Sequence, residues 1–285
     1  MQHIPVLVKE CLQMLNSGKG KTIIDCTLGL GGHTKELMKT GCRVISIDRD
    51  EKAIESVKKE LPDNVIIHSS FSKLKEVLSR LSISKVDGIL ADLGVSTYQL
   101  EDSERGFGFE GKLDMRMDTT QKTTAYNIIN DYTQGQLSKL LFDYGERRFS
   151  RQIARAISNS RVYKPIETGE ELLAVVKSVM PPKYRFSREH HWATPTFRAL
   201  RMEVNADLEE LKALIAAAPD CLNQNGRLVI ISFHSIEDKI VKHEFKALSK
   251  KGFKILTKRP LEATEEEISK NSKSQRAKLR AIEKV

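Results

Sequence analysis

Short apolar runs alternate with amphipathic segments through the first third of this chain. Residues 22–24, 44–47, 65–67 and 86–90 are rich in isoleucine and valine and read as buried strands. Between them, residues 52–61 and 71–81 place apolar side chains at helical spacing. Such alternation predicts a doubly wound parallel sheet. It stops near Glu101. From there to Thr196 the pattern offers loops and helices, over 136–161 and 170–180, interrupted by Pro165 and Pro181-Pro182. One long helix is expected over 196–218. The sheet pattern then returns at 227–232 behind the turn Asn225-Gly226, followed by a helix over 236–250. Two last strands are expected at 253–257 and 277–282, with the charged stretch 262–274 as a mobile loop. The expectation is an α/β chain with a discontinuous sheet domain, residues 1–100 and 198–285. A mainly helical insertion, residues 101–197, interrupts it.

The first strand runs into Asp25-Cys-Thr-Leu-Gly-Leu-Gly-Gly-His33 and then the helical Thr34-Lys-Glu-Leu-Met38. Strand, glycine turn and helix start together make a nucleotide-cofactor cradle, in which glycines permit close approach and the helix supplies free N–H donors. Asp48 ends the next strand, about twenty residues past the glycines, where a ribose diol is gripped. Gly29, Gly31 and Gly32 lack the third glycine of a dinucleotide fingerprint, because position 34 is Thr34. Asp25 is a poor neighbour for a diphosphate and suits a cationic ligand such as S-adenosylmethionine; it also reads as a plain turn residue.

Composition narrows the partners. The 285-residue chain carries a formal charge of +9, which favours a polyanion, RNA or DNA, over a membrane. Cys11, Cys26, Cys42 and Cys221 include no C-x-x-C pair, so no metal site is expected. Neither a signal peptide nor a membrane span is read from the sequence, and a cytoplasmic protein is expected.

Ligands of such sheets lie beyond the carboxyl ends of the strands, where Asp25, Asp48, residues 69–71 and Asp92 all fall. Asp92, Ser96 and Gln99 follow the fourth strand and are candidates for cofactor or reacting-centre contacts; Asp92 as a cap on the turn at Gly94 is the plainer alternative. Phe107 and Phe109 sit among glycines in a loop that either stacks on a base or is pinned to the core. Arg116, in Leu113-Asp-Met-Arg-Met-Asp118, either pairs with its carboxylate neighbours or faces a phosphate. Arg147, Arg151 and Arg155 recur at four-residue spacing, as on one helix face; they read either as ordinary solvated arginines or as an RNA-backbone footprint. Ser235 and Asp238 have capping-box-like spacing, which leaves His234 unexplained.

Several of these blocks, in this order, resemble the RsmH/MraW family of small-subunit ribosomal RNA (cytosine-N4)-methyltransferases. They include Gly29-Leu-Gly-Gly-His33, Asp48-Arg-Asp50, Asp92-Leu-Gly-Val-Ser96, Glu104-Arg-Gly-Phe107, Leu113–Asp118, Tyr144-Gly-Glu146, Ile153–Ile157 and Ile231-Ser-Phe-His-Ser235. The resemblance spans nearly the whole chain. It implies a Rossmann-like class I methyltransferase sheet with an inserted helical domain for RNA recognition. It further implies S-adenosylmethionine held by Gly31, Gly32, His33, Asp48, Phe71, Asp92 and Gln99. The implied partner is small-subunit ribosomal RNA or the assembled subunit; oligomeric state stays open, a homodimer included. The chain departs from the family at Cys26, where glycine is usual, at Arg147, where glutamate is usual, and at Trp192 and Pro195 within residues 190–197.

Cytosine N4 is a weak nucleophile, so a positioned hydrogen-bond acceptor is needed as the nitrogen attacks. Methylation at C5 would need a cysteine nucleophile, and none follows the fourth strand. Asp92 is the candidate acceptor, although the segment reads Asp-Leu-Gly-Val rather than the (Asp/Asn)-Pro-Pro-aromatic motif of many amino-methyltransferases. Two rivals stand beside this reading: a nicotinamide-dependent Rossmann oxidoreductase, and an RNA-binding protein without catalysis.

Overall fold

The computed structural model describes residues 4–185 and 191–285. Helix α1 (Val8–Leu15) leads into β1 (Thr22–Asp25), α2 (Gly32–Lys39), β2 (Arg43–Asp48), α3 (Glu51–Glu60), β3 (Val65–His68), α4 (Leu74–Arg80) and β4 (Val86–Asp92). Helices α5 (Thr97–Glu101), α6 (Ala125–Asp131), α7 (Gln134–Asp143), α8 (Ser150–Ser160), α9 (Gly169–Val179), α10 (Pro182–Arg185) and α11 (Thr194–Val204) follow. The chain closes with α12 (Asp207–Cys221), β5 (Leu222–Ser232), α13 (Ser235–Leu248), β6 (Phe253–Ile255), β7 (Leu261–Glu262), α14 (Glu265–Lys270) and β8 (Lys278–Lys284). Two compact units result, residues 1–94 with 208–285, and residues 95–207.

In the first unit the strands form one sheet in the order β3-β2-β1-β4-β5-β8-β6, with β7 beside β8. β1 to β5 are parallel and β8 runs antiparallel between β5 and β6. The period-two rule explains why the strands are apolar throughout: both faces are covered. Ile24, Ile89 and Ile230 pack with Leu74, Leu214 and Phe245 on one face. Their neighbours Ile23, Leu90 and Val229 pack with Cys11, Leu15 and Leu37 on the other. The order reverses at β1, which pairs with β2 on one side and β4 on the other. A crevice at such a switch point is where a parallel α/β sheet binds its ligand.

The charged stretch 262–274 is not the loop expected. Thr264 caps α14 through its hydroxyl, and a 3-10 turn over Ser272–Arg276 follows. Its charges are helix-compatible: Glu265, Glu266 and Glu267 occupy the first turn and Lys270 the last, matching the helix dipole. The helix also reaches the chain's start, where Glu267 Oε1 accepts from the Leu7 N–H at 2.8 Å.

The second unit contains no strand among its described residues, only helices and one isolated bridge, Lys112 with Thr168. Leu113, Met115 and Met117 are buried and their neighbours are not, as the alternation predicts, although Met115 at φ 60 breaks the extended backbone. The expected helix over 136–161 is two helices, α7 and α8. That over 196–218 is also two, α11 and α12. The second break has a clear cause. Asn205 caps α11 and spends its buried amide on the Met115–Met117 segment: Oδ1 accepts from Met117 N at 2.8 Å and Nδ2 donates to Met115 O at 2.7 Å. Ala206 then turns the chain at φ 49.

Replacing Asn205 by alanine strands those two main-chain groups in the core, at about 1–3 kcal/mol each. Asn205→Ala is therefore expected to lose about 2–4 kcal/mol of stability in urea unfolding. Asn205→Asp, which keeps the acceptor alone, should fall between it and the parent.

Candidate cofactor site

The site grows from the ends of β1, β2 and β4. Asp25, the last residue of β1, is fully buried. Its Oδ2 accepts from Thr34 Oγ1 at 2.7 Å and its Oδ1 from Thr27 N at 3.2 Å. Thr34 also meets Ser46 at 2.9 Å, and Thr27 Oγ1 accepts from Asp92 N at 2.7 Å. Asp25 is thus the anchor of the turn. It is not a ligand-facing carboxylate, which corrects the expectation from sequence. Thr34 stands where a dinucleotide fingerprint has glycine because its hydroxyl completes this network.

The glycines have packing reasons of their own. Gly31 is the N-cap of α2 at φ 76, in the left-handed region where a side chain is strained. A Cβ on Gly32 would lie 2.9 Å from Pro5, so the N-terminal segment closes against the turn at that point. No side chain caps α2, and its first N–H groups keep their capacity to donate to a ligand.

Asp48 ends β2 with both oxygens oriented: Oδ2 accepts from Gly29 N at 2.8 Å and Oδ1 from Asp50 N at 2.9 Å. Burial raises its carboxyl above the ordinary range, and these two N–H groups offset only part of that rise. The carboxylate that joins the turn to β2 keeps a further lone pair on each oxygen for a diol. Phe71 opens the short turn after β3, which Ser70 caps, and lies 8% exposed in the core beneath the strand ends.

His33 and Asp92 face each other. His33 is buried, its Nε2 2.9 Å from the Val6 carbonyl and its Nδ1 3.7 Å from Asp92 Oδ2. A carbonyl only accepts, so in the neutral ring the proton sits on Nε2 and Nδ1 is the acceptor. Asp92 Oδ1 is buried with no hydrogen-bond partner among the described residues. Burial lifts the Asp92 carboxyl from 3.8 to about 6; His33 lowers it, while Asp25 and Glu237 add to the rise. Such an orphaned oxygen is costly unless a ligand completes it. A donor bearing ammonium and sulfonium charge fits it, and a diphosphate does not.

Gln99 belongs to the second unit. Its side chain accepts from Ser96 N at 2.9 Å while Ser96 Oγ accepts from Gln99 N at 3.2 Å, a capping box for α5. The structure therefore brings together Gly31, Gly32, His33, Asp48, Phe71 and Asp92 within one unit, and gives Gln99 a local structural task in the other.

Several functional readings change. His234 is explained: it caps α13 through Nδ1, which accepts from Glu237 N at 3.3 Å, so Ser235 is not the cap. Glu237, overlooked in the sequence, is buried and bonds Phe233 N at 3.0 Å, while Asp238 pairs with Arg280 at 2.6 Å. Phe107 is buried, and Phe109 packs on Phe197 at 4.9 Å; the aromatics pin their loop to the core. Arg116 is consumed by a two-pronged pair with Asp114, at 2.8 and 2.7 Å. Arg147 lies before α8 and stacks over Phe142 at 5.8 Å, leaving Arg151 and Arg155 on the helix. Cys26 is a buried core thiol held well above its ordinary pKa by burial. Pro195 occupies the first turn of α11, where proline is tolerated, and Trp192 packs against the unit's core; His190 lies outside the described residues. Among the described residues no cluster of His, Cys, Asp and Glu suits a metal ion, and no helix is long and apolar enough to cross a membrane.

Comparison with known proteins decides the family. The model of the MraW methylase family matches residues 1–285. The chain belongs to this family. Its relatives include the ribosomal RNA small subunit methyltransferase H of Clostridium botulinum (strain Kyoto / Type A2), 43% identical over 100% of this chain and 99% of that one. The protein of the same name from Caldicellulosiruptor bescii is 45% identical with the same coverage. Among solved structures, an rRNA methylase from Streptococcus thermophilus aligns over 100% of this chain and 99% of its own at 12% identity. Its TM-score of 0.47 is too loose to bear on the fold. Membership of a methylase family favours neither the nicotinamide reading nor a non-catalytic RNA binder.

The raised Asp92 carboxyl has a stability consequence. Its folded pKa, about 6, exceeds the ordinary 3.8, so the folded state binds the proton more tightly. That contribution is fully present below about pH 3.8 and is lost as pH rises through about 6. Asp92→Asn removes the penalty of the buried charge. The ligand-free variant should be about 1–3 kcal/mol more stable than the parent at pH 7.5, with the gain gone at pH 3.5. Thermal unfolding at the two pH values checks it.

Proposed function

We propose that this chain methylates the exocyclic N4 amine of a cytidine in small-subunit ribosomal RNA, with S-adenosylmethionine as donor. The observation that carries the reading is Asp92, a carboxylate at the end of β4 with an unpartnered buried oxygen beside His33 at the head of α2. The full-length likeness to relatives named for ribosomal RNA methylation supports it, as does the +9 charge, which suits a polyanionic substrate. The substrate is the RNA itself or the assembled subunit, met in the cytoplasm.

The bound donor supplies a methyl group activated by its sulfonium charge. Gly31, Gly32 and His33 would hold it at the start of α2, Asp48 would take the ribose, and Phe71 would pack beside the base. Asp92 is ionised above about pH 6, and there it balances positive charge and accepts the proton that the amine nitrogen sheds. His33 assists by position: with Nε2 held at the Val6 carbonyl, its Nδ1 faces Asp92 Oδ2 at 3.7 Å. The second unit, residues 95–207, recognises the RNA.

Incubation of the protein with labelled donor and undermethylated small subunits is expected to place label in N4-methylcytidine, identified by mass spectrometry of the nucleosides. Label at C5, or none, overturns the assignment. Turnover of the parent should rise with pH through about 6. Asp92→Asn should cut turnover by about 10²-fold or more with S-adenosylhomocysteine still bound. Full turnover with weakened cofactor binding would make Asp92 a cofactor ligand alone.

A further inference from the structure

Most of the described arginines of the second unit are committed. Arg116 pairs with Asp114, Arg161 caps main-chain carbonyls of Ile129 and Tyr132, and Arg185 donates to Met180 O and Lys177 O. Arg105 donates to Arg116 O and Met117 O. Arg147 and Arg148 lie over the rings of Phe142 and Tyr184. Arg198 and Arg201 also have partners. Arg151 and Arg155 stand apart: among the described residues neither has an ion pair, hydrogen bond or ring partner. Burial of Ile153, Ala154 and Ile157 fixes the opposite face of α8, so the two guanidinium groups stand one helical turn apart on the exposed side.

Both line a groove of about 1110 Å³ between α7, α8 and α9. No acidic side chain is among its lining residues. Gln134, Gln152 and Asn159 add side-chain amides, and Val175 is part of an apolar floor. Pockets for small molecules run from about 300 to 1,000 Å³ and are mostly apolar. This one is larger and open, and its only charges are positive. Guanidinium groups at that spacing match successive phosphates of a strand, and free amides match base edges.

We propose that the α7–α8–α9 groove binds a single-stranded segment of the RNA substrate, Arg151 and Arg155 on its phosphates and Gln152 and Asn159 on its bases. The inference rests on the RNA-methylation reading and adds to it a place on the second unit where the strand is held.

The test uses the full-length protein and an unmodified transcript of small-subunit ribosomal RNA. Arg151→Ala/Arg155→Ala should weaken RNA binding about tenfold to a hundredfold. It should also make the log–log salt dependence shallower by about 1.4, as expected for two lost contacts to single-stranded phosphates. S-adenosylhomocysteine affinity and thermal unfolding should not change. Gln152→Ala/Asn159→Ala should weaken binding without altering the salt slope. The matched loss of charge on α13, Lys242→Ala/Lys246→Ala, should have a smaller effect than the arginine pair. Equal losses from the two pairs would mean that overall charge, not the groove, draws the RNA, and would overturn the proposal. Unchanged RNA affinity in the arginine variant overturns it too, while methylation by the parent would leave the functional reading standing. If that variant binds the transcript normally and fails only on assembled subunits, the groove meets a protein and the RNA assignment falls. If the parent binds no RNA and transfers no methyl group, both readings fall together.

Discussion

A single buried carboxylate organises the cofactor end of the sheet. Asp25 has no exposed surface, and a charge so placed is tolerated only where its oxygens are well bonded. Thr34 and Thr27 supply the donors, and through them Asp25 ties β1 to the first turn of α2 and to the glycine turn between them. Thr27 in turn receives the Asp92 N–H, so the end of β4 is registered to the same network. The positions of His33, Asp48 and Asp92 follow from that fixation. The negative charge of Asp25 also acts on Asp92, adding to the burial that lifts it.

The second unit solves a comparable problem with side chains that serve the main chain. Its long irregular segment before α6 has no ladder to satisfy its main chain. Arg105 and Asn205 do so instead, donating to and accepting from the backbone of Met115, Arg116 and Met117. The side chains of Met115 and Met117 then pack in the unit's core. The internal arginines serve this purpose, which is why the sequence, rich in arginine there, overstated the basic surface. Charge that holds a fold together is not charge offered to a partner.

Much of the sheet was legible because a strand buried on both faces has an unmistakable composition, and because its carboxyl end marks where ligands lie. Asp48 and Asp92 could be placed on that ground alone. The role of Asp25 could not: position at a strand end does not say whether a side chain points up to the crevice or in to Thr34. Gly32 was read as room for a ligand; that Pro5 closes the side on which its Cβ would stand is a second demand for glycine that the sequence does not show. Helix boundaries failed where a side chain competed with the helix, as Asn205 does. The stretch 262–274 looked like a loop because charge was taken for disorder; its signs run in the order a helix dipole favours, and Thr264 caps it. His234 was left unexplained because imidazole is a less familiar cap than serine, although its Nδ1 does the same work.

What separates the two kinds of polar residue is satisfaction. Asp25, Asp48, Glu237, Arg105 and Arg116 each have partners within the fold, and removing any of them would cost stability first. Asp92 Oδ1 has none among the described residues, although water cannot reach it. A protein bears such an atom at a cost of roughly 1–3 kcal/mol, more when it is charged. Nothing in the packing of β4 requires a carboxylate there, since Leu93 beside it bonds into the sheet through its own N–H to Ile231 O. The cost is therefore one that folding does not recover and that binding can. For that reason the unpartnered oxygen, rather than the glycine turn that first draws the eye, is the most informative atom of the site.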